Sequence, residues 1–204
     1  MTCDMLDQIE QVAVENIALE LEGARPPDVL RWAYDEFGSD VAMATGFGIE
    51  GCVLISMLAE TGCGIRLFYL DTELLFPETY ALRDRLEARY GVRFERRSTV
   101  LSLDQQATLY GDKLWERQPD ECCRLRKVEP LREMLSGLRA WITGIRRDQS
   151  ATRAHARVVE HDRQFGLIKI NPLVGWSPKD VWEYARLNEV PHNPLLDQGY
   201  ASIG

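Results

Sequence analysis

From residue 41 onward, strand-like and helix-like segments alternate, and this alternation restricts the fold more than any other feature of the chain. Val41-Ala42-Met43-Ala44 is a short apolar run that reads as a buried strand. The turn Thr45-Gly46-Phe47-Gly48 leads into a helix from about Glu50 to Glu60. Ile65 to Leu70 reads as a second strand, and Pro77 suits the first turn of a helix to Tyr90. Val92 to Glu95, Trp141 to Thr143 and Leu167 to Ile170 read as three more strands. Pro119-Asp120 precedes a helix through about Leu135, and Ser177-Pro178 caps a last helix to Asn188. Near the N-terminus, Leu6, Ile9, Ala13 and Ile17 recur at helical spacing in a helix that stops near Gly23. Pro26-Pro27 opens a second helix, which Gly38 ends. The order predicts an α/β fold with a doubly wound, mainly parallel sheet and right-handed crossovers. Ligands of such sheets bind outside the C-terminal strand ends. Three chemically suggestive loops begin there, after Ala44, Leu70 and Thr143. Gly111 to Pro119 reads as the most flexible stretch.

The 204 residues fit one such domain. A net charge of -8 argues against a nucleic-acid-coating surface. No apolar run is long enough to cross a bilayer. Met1-Thr2-Cys3-Asp4 lacks the regions of a signal peptide. Five cysteines show no spacing of a secreted disulfide framework, so a reducing cytoplasm is the expected compartment. The acidic balance still leaves room for a small anionic ligand, because Arg146, Arg147, Arg153 and Arg157 crowd one stretch.

Cys122-Cys123 is followed at once by Arg124-Leu125-Arg126-Lys127. Neighbouring side chains on a helix are set about 100° apart, so two thiolates there can lean onto one compact object. A multi-iron cluster is such an object, and the cations suit thiolates or an anionic substrate. Two buried free cysteines at a helix start are the plainer alternative. Gly144-Ile145-Arg146-Arg147 at a strand end suits bidentate binding of phosphate or sulfate; a solvated charged loop is the alternative. The Thr45–Glu50 turn offers backbone N–H groups and a helix dipole to an anion. It lacks the Gly-Lys-Ser/Thr of a Walker loop and the glycine spacing of a dinucleotide fingerprint. Asp71-Thr72-Glu73 suits a ribose or purine edge, or simply a turn and a helix cap. The three histidines show no metal-site spacing. Trp32, Trp115, Trp141, Trp176 and Trp182 read as packing residues, Cys52 and Cys63 as small buried hydrophobes, and Cys3 as a terminal residue.

Taken together, these segments resemble the assimilatory adenylyl-sulfate reductases, relatives of 3′-phosphoadenylyl-sulfate reductase. The resemblance is carried by Ala44-Thr45-Gly46-Phe47-Gly48-Ile49-Glu50, by Leu70 through Tyr80, by Cys122 through Leu131, by Trp141 through Ser150, and by Ile170-Asn171-Pro172-Leu173 onward to Tyr200. It implies an adenine nucleotide alpha-hydrolase-like fold and a single nucleotide-binding reductase domain over residues 1–204, with a helical segment at about 1–38. The implied substrate is adenosine 5′-phosphosulfate. By position, Thr45, Gly46, Phe47, Gly48 and Glu50 lie around the phosphosulfate. Leu70, Asp71 and Thr72 lie along the adenosine, Lys127 faces the cluster or the sulfate, and Arg146 and Arg147 clamp the anionic end. ATP pyrophosphatase relatives carry Ser-Gly-Gly-x-Asp-Ser; Thr45, Phe47 and Glu50 here weigh against ATP cleavage. The family usually has Gly or Asp where Glu73 stands.

The cysteine pair marks the branch that holds a [4Fe–4S] cluster and prefers the nucleotide with a free 3′-hydroxyl. Cys122 and Cys123 are then two of its four ligands. The resemblance sets the other two, and the nucleophilic cysteine, in a segment after Gly204. The 204 residues are accordingly expected to be a truncated form that binds nucleotide without turnover. The implied partner is thioredoxin or glutaredoxin, in sulfate assimilation and cysteine biosynthesis, with no nucleic acid or membrane partner and the oligomeric state, a homo-oligomer included, left open. Three alternatives stay open: a 3′-phosphoadenylyl-sulfate reductase, an ATP pyrophosphatase relative, and a non-catalytic nucleotide-binding module.

Overall fold

The structure, a computed structural model, describes residues 3–200 and residue 203. In chain order the elements begin α1 (Cys3–Glu20), α2 (Pro26–Phe37), β1 (Val41–Ala44), α3 (Ile49–Thr61), β2 (Arg66–Leu70), α4 (Pro77–Tyr90) and β3 (Phe94–Arg97). They continue with α5 (Leu103–Tyr110), α6 (Leu114–Arg117), α7 (Pro119–Cys123), a π-helical turn (Arg124–Val128) and α8 (Glu129–Leu135). The last are β4 (Ala140–Ile142), β5 (Val159–Asp162), β6 (Leu167–Ile170), α9 (Pro178–Leu187) and α10 (Pro194–Asp197).

The strands form a single sheet in the order β3-β2-β1-β4-β6-β5. All neighbours run parallel except β5 and β6. Side chains alternate across the sheet, and two cores follow from that. Val41, Met43, Leu67, Tyr69, Ala140, Ile142 and Ile170 join the larger cluster with α2, α3, α4 and α9. Ala42, Phe68, Trp141 and Leu167 face the other way, against Met134 and Leu135 of α8. Helix α3 is apolar nearly all round because it lies between the sheet, α2 and α9; Val53, Leu54 and Ile55 are fully buried. β1 is the switch point of the sheet, since β2 lies to one side of it and β4 to the other.

The doubly wound, mainly parallel sheet is as expected, and three local readings are corrected. The antiparallel β5 was not foreseen; its Glu160, His161 and Asp162 have no apolar period, and hydrogen bonds to β6 define it instead. The third strand is Phe94–Arg97 rather than Val92–Glu95, because backbone pairing with β2 sets an edge strand that ends in two arginines. Gly111 to Pro119 is not a loose stretch: it contains α6, anchored by the fully buried Leu114.

Candidate active site

A cavity of about 590 Å³ opens at the switch point, over the C-terminal ends of β1, β2 and β4. Thr45, Gly46 and Phe47 line it from β1, Leu70 and Thr72 from β2, and Lys127 from the π-helical turn. Six of the residues read from sequence therefore meet on one wall. The Phe47 backbone is left-handed, at φ 59°, and its N–H donates to Thr45 Oγ1 at 3.0 Å. The Phe47 ring points away from the cavity and packs on Tyr69 and Phe94. The turn thus presents backbone and the Thr45 side chain rather than an aromatic platform. A Cβ on Gly51 would meet Thr45 Oγ1 at 2.5 Å, so only glycine allows α3 to start this close beneath the turn.

Gly48, Glu50, Asp71, Arg146 and Arg147 are not on the cavity wall. Glu50 accepts from Arg146 Nε and from Gln149 Nε2, each at 3.1 Å, and so joins the start of α3 to the loop after β4. Arg147 is turned the opposite way: its guanidinium holds both carboxylate oxygens of Glu22 at 2.8 and 2.9 Å and donates to the Ala156 carbonyl. That hydrogen bond holds the Glu22 carboxyl below its usual range. Asp71 is buried and accepts from the Tyr80 hydroxyl at 2.6 Å, the Glu73 amide at 2.9 Å and Arg96 Nε at 2.6 Å. Burial opposes its ionisation, yet these hydrogen bonds outweigh it and keep the carboxyl below the ordinary range. Burial and the bond to Asp71 push the Tyr80 hydroxyl up to about 12.

Several wall residues escaped sequence reasoning, Glu160 and Lys169 among them. Arg153 and His155 face the cavity from the loop after β4, and Trp141 lines its floor. The arginine crowding was a signal for Arg153. His155 and Trp141 gave none, because their placement depends on how the loop folds back over β4 and β6.

Cys122 is buried and Cys123 exposed, and both face a second cavity of about 310 Å³ with Thr72, Arg126 and Lys127. The pair sits where the helix widens. Pro130 has no N–H to give the carbonyl of Arg126, and the Glu129 N–H reaches back five residues to Arg124. Arg126 is fully buried: Nε donates to Gln106 Oε1 at 2.6 Å, Nη1 to the Thr72 carbonyl at 2.9 Å and Nη2 to the Leu101 carbonyl at 3.3 Å. Thr72 and Lys127 line both cavities, so the cysteine chamber and the switch-point cavity share a wall. Cys52 is fully buried, and burial pushes its thiol up to about 12; Cys63 is only partly buried. The Cys3 side chain lies outside the described residues. Among the described residues, no three His, Cys, Asp or Glu side chains converge as a metal site.

The chain belongs to the phosphoadenosine phosphosulfate reductase domain family, which matches residues 40–204. It is 49% identical over 194 residues to an adenosine 5′-phosphosulfate reductase of Salinibacter ruber, covering 95% of this chain and 76% of that protein. Adenosine 5′-phosphosulfate reductase 1 of Bacillus subtilis is 47% identical over 177 residues, covering 86% and 76%. A crystal structure of phosphoadenylyl-sulfate reductase from Candida auris, in a phosphate complex, superposes with a TM-score of 0.83 at 35% identity, covering 95% of this chain and 94% of that one. No described helix is long and apolar enough to cross a membrane.

Proposed function

We propose that this chain belongs to an adenosine 5′-phosphosulfate reductase, an enzyme that forms sulfite and AMP with electrons from thioredoxin or glutaredoxin in a cytoplasmic, sulfate-assimilating pathway. The observation that carries this reading is the shared wall: Lys127 and Thr72 border both the strand-end cavity and the chamber of Cys122 and Cys123. In this reading the Thr45-Gly46-Phe47 turn borders the phosphosulfate and offers it the Gly46 N–H and the Thr45 hydroxyl, since the Thr45 N–H is held by the Phe68 carbonyl and the Phe47 N–H by Thr45 Oγ1. Leu70 and Thr72 lie along the adenosine, and Lys127 and Arg153 offset the anionic charge. Gly48, Glu50, Asp71, Arg146 and Arg147 act from behind, holding the loops that form the wall.

The reaction is a two-step transfer. A cysteine thiolate attacks the sulfate sulfur, the S–O bond to the phosphate breaks, and AMP leaves with the electron pair. The dithiol donor then attacks the sulfur-bearing cysteine. Sulfite departs, the cysteine returns as a thiol, and the donor is oxidised to its disulfide. Cys52 is unsuited to attack, being fully buried with its thiol pushed up to about 12. The wall residues orient the ester and neutralise the departing phosphate.

A [4Fe–4S] cluster takes four thiolates. Cys122 and Cys123, adjacent on a helix and open to one chamber, fit as two of them. Bound there, a cluster supplies a soft, delocalised charge beside Lys127. The test has two arms. Calorimetric titration with AMP should give saturable binding, and whatever iron the chain takes up on anaerobic treatment with iron and sulfide should be lost in C122S and C123S. Absence of nucleotide binding sinks the reading.

A further inference from the structure

Away from the Thr45 turn, the cavity ends on a rung of paired residues. Trp141, Lys169 and Glu160 stand in register across β4, β6 and β5, and all three line the cavity. Glu160 is the single carboxylate among the described residues that line the cavity, against three cations: Lys127, Arg153 and Lys169. Its position is fixed. Oε1 accepts from Asn171 Nδ2 at 3.0 Å, and Oε2 accepts from the Arg157 amide at 3.2 Å. Lys169 Nζ lies 3.6 Å from Oε1 and 5.8 Å from the Trp141 ring centroid. The ammonium is thereby committed to a carboxylate and an aromatic face. Two cations remain uncommitted to a carboxylate on the wall, matching an ester that carries one phosphate and one sulfate.

We propose that Glu160 is the residue that selects against a nucleotide with a further phosphate on its sugar. It does so by neutralising Lys169 and by placing a fixed negative charge in a semi-enclosed, mostly apolar cavity, where Coulomb repulsion is weakly screened. A further phosphate on the nucleotide adds anionic charge to a cavity whose two uncommitted cations are already matched by the ester, and Lys169, held by Glu160, does not offset it. This inference rests on the reading of the cavity as the adenosine phosphosulfate site.

The test compares AMP with adenosine 3′,5′-bisphosphate by calorimetric titration at fixed salt, using the whole chain. The unaltered protein should bind AMP more tightly. In E160Q, whose amide oxygen can still accept from Asn171, the ratio of affinities should move toward the bisphosphate at least tenfold. Adding K169M to E160Q should abolish that gain, because the freed ammonium produces it. K169M alone should move the ratio severalfold the other way, and this arm stands even if E160Q does not fold. Ratios unchanged in E160Q, or in K169M, overturn the inference and leave the nucleotide site intact. Failure of the unaltered protein to bind AMP overturns both.

Discussion

Lys127 and Gly51 do opposite jobs at the scale of single residues. Lys127 is a charge on a wall common to two chambers, and the substrate is an anion. Removing one charged partner in such a site is worth about 1.5–3 kcal/mol. K127A should therefore weaken AMP binding roughly tenfold to a hundredfold by calorimetry, with little change in the urea midpoint. Gly51 bears no charge; it makes space. With a methyl group 2.5 Å from Thr45 Oγ1, the hydroxyl must leave the Phe47 amide it now holds. G51A should weaken AMP by at least about tenfold while the fold survives, read from titration beside circular dichroism. Glu73 shows a third kind of constraint. It sits at φ 59°, a backbone that glycine adopts without cost.

The element that most needs explaining is the helix from Pro119 to Leu135. Sequence made it one continuous helix, and it is one, but with a π-helical turn directly after the cysteines. That turn directs Arg126 inward to the carbonyls of Thr72 and Leu101 and to Gln106. The cysteine-bearing helix and the loop after β2 are thereby one mechanical unit. R126M strips hydrogen bonds from buried carbonyls, and the expected loss of unfolding free energy is about 3 kcal/mol by urea titration. Its nucleotide affinity should fall as well, because Thr72 lines the cavity. Unchanged stability would show that the guanidinium is a passenger. At this scale sequence was a good guide to α3, α4 and β1, whose apolar periods are long or whose caps are Pro and Gly. It missed β5 and α6, where a sheet edge and one buried leucine define the element.

For the molecule as a whole, the loops after β2 and β4 are held to the scaffold by charged contacts behind the cavity. Asp71 anchors the first, through Tyr80 and Arg96; Glu50 and Glu22 anchor the second, through Arg146 and Arg147. Asp71 has its carboxyl held below the ordinary value, so the stability it contributes is complete above the unfolded carboxylate range. It is lost as pH falls through the lower, folded value. Stability measured by urea titration from roughly pH 6 down to 2 should fall less steeply for D71N than for the unaltered chain, and D71N should already be less stable at pH 6 by about 1–3 kcal/mol. Equal acid slopes would show that Asp71 is not the anchor.

What the chain determined by its sequence alone is local or periodic: the alternation that sets a parallel sheet, the strand ends where ligands bind, and the adjacent thiols with their basic followers. Those follow from side-chain period and from turn chemistry, which act over a few residues. The tertiary structure decided which polar groups face the cavity and which are consumed by partners. Arg147 turns to Glu22, Glu50 to Arg146 and Asp71 to Tyr80, while Arg153, His155, Trp141 and Glu160 arrive on the wall. The reason is physical. A charged side chain is satisfied by whichever partner the fold brings within about 3 Å, and for Arg147 and Glu50 that partner lies about a hundred residues away.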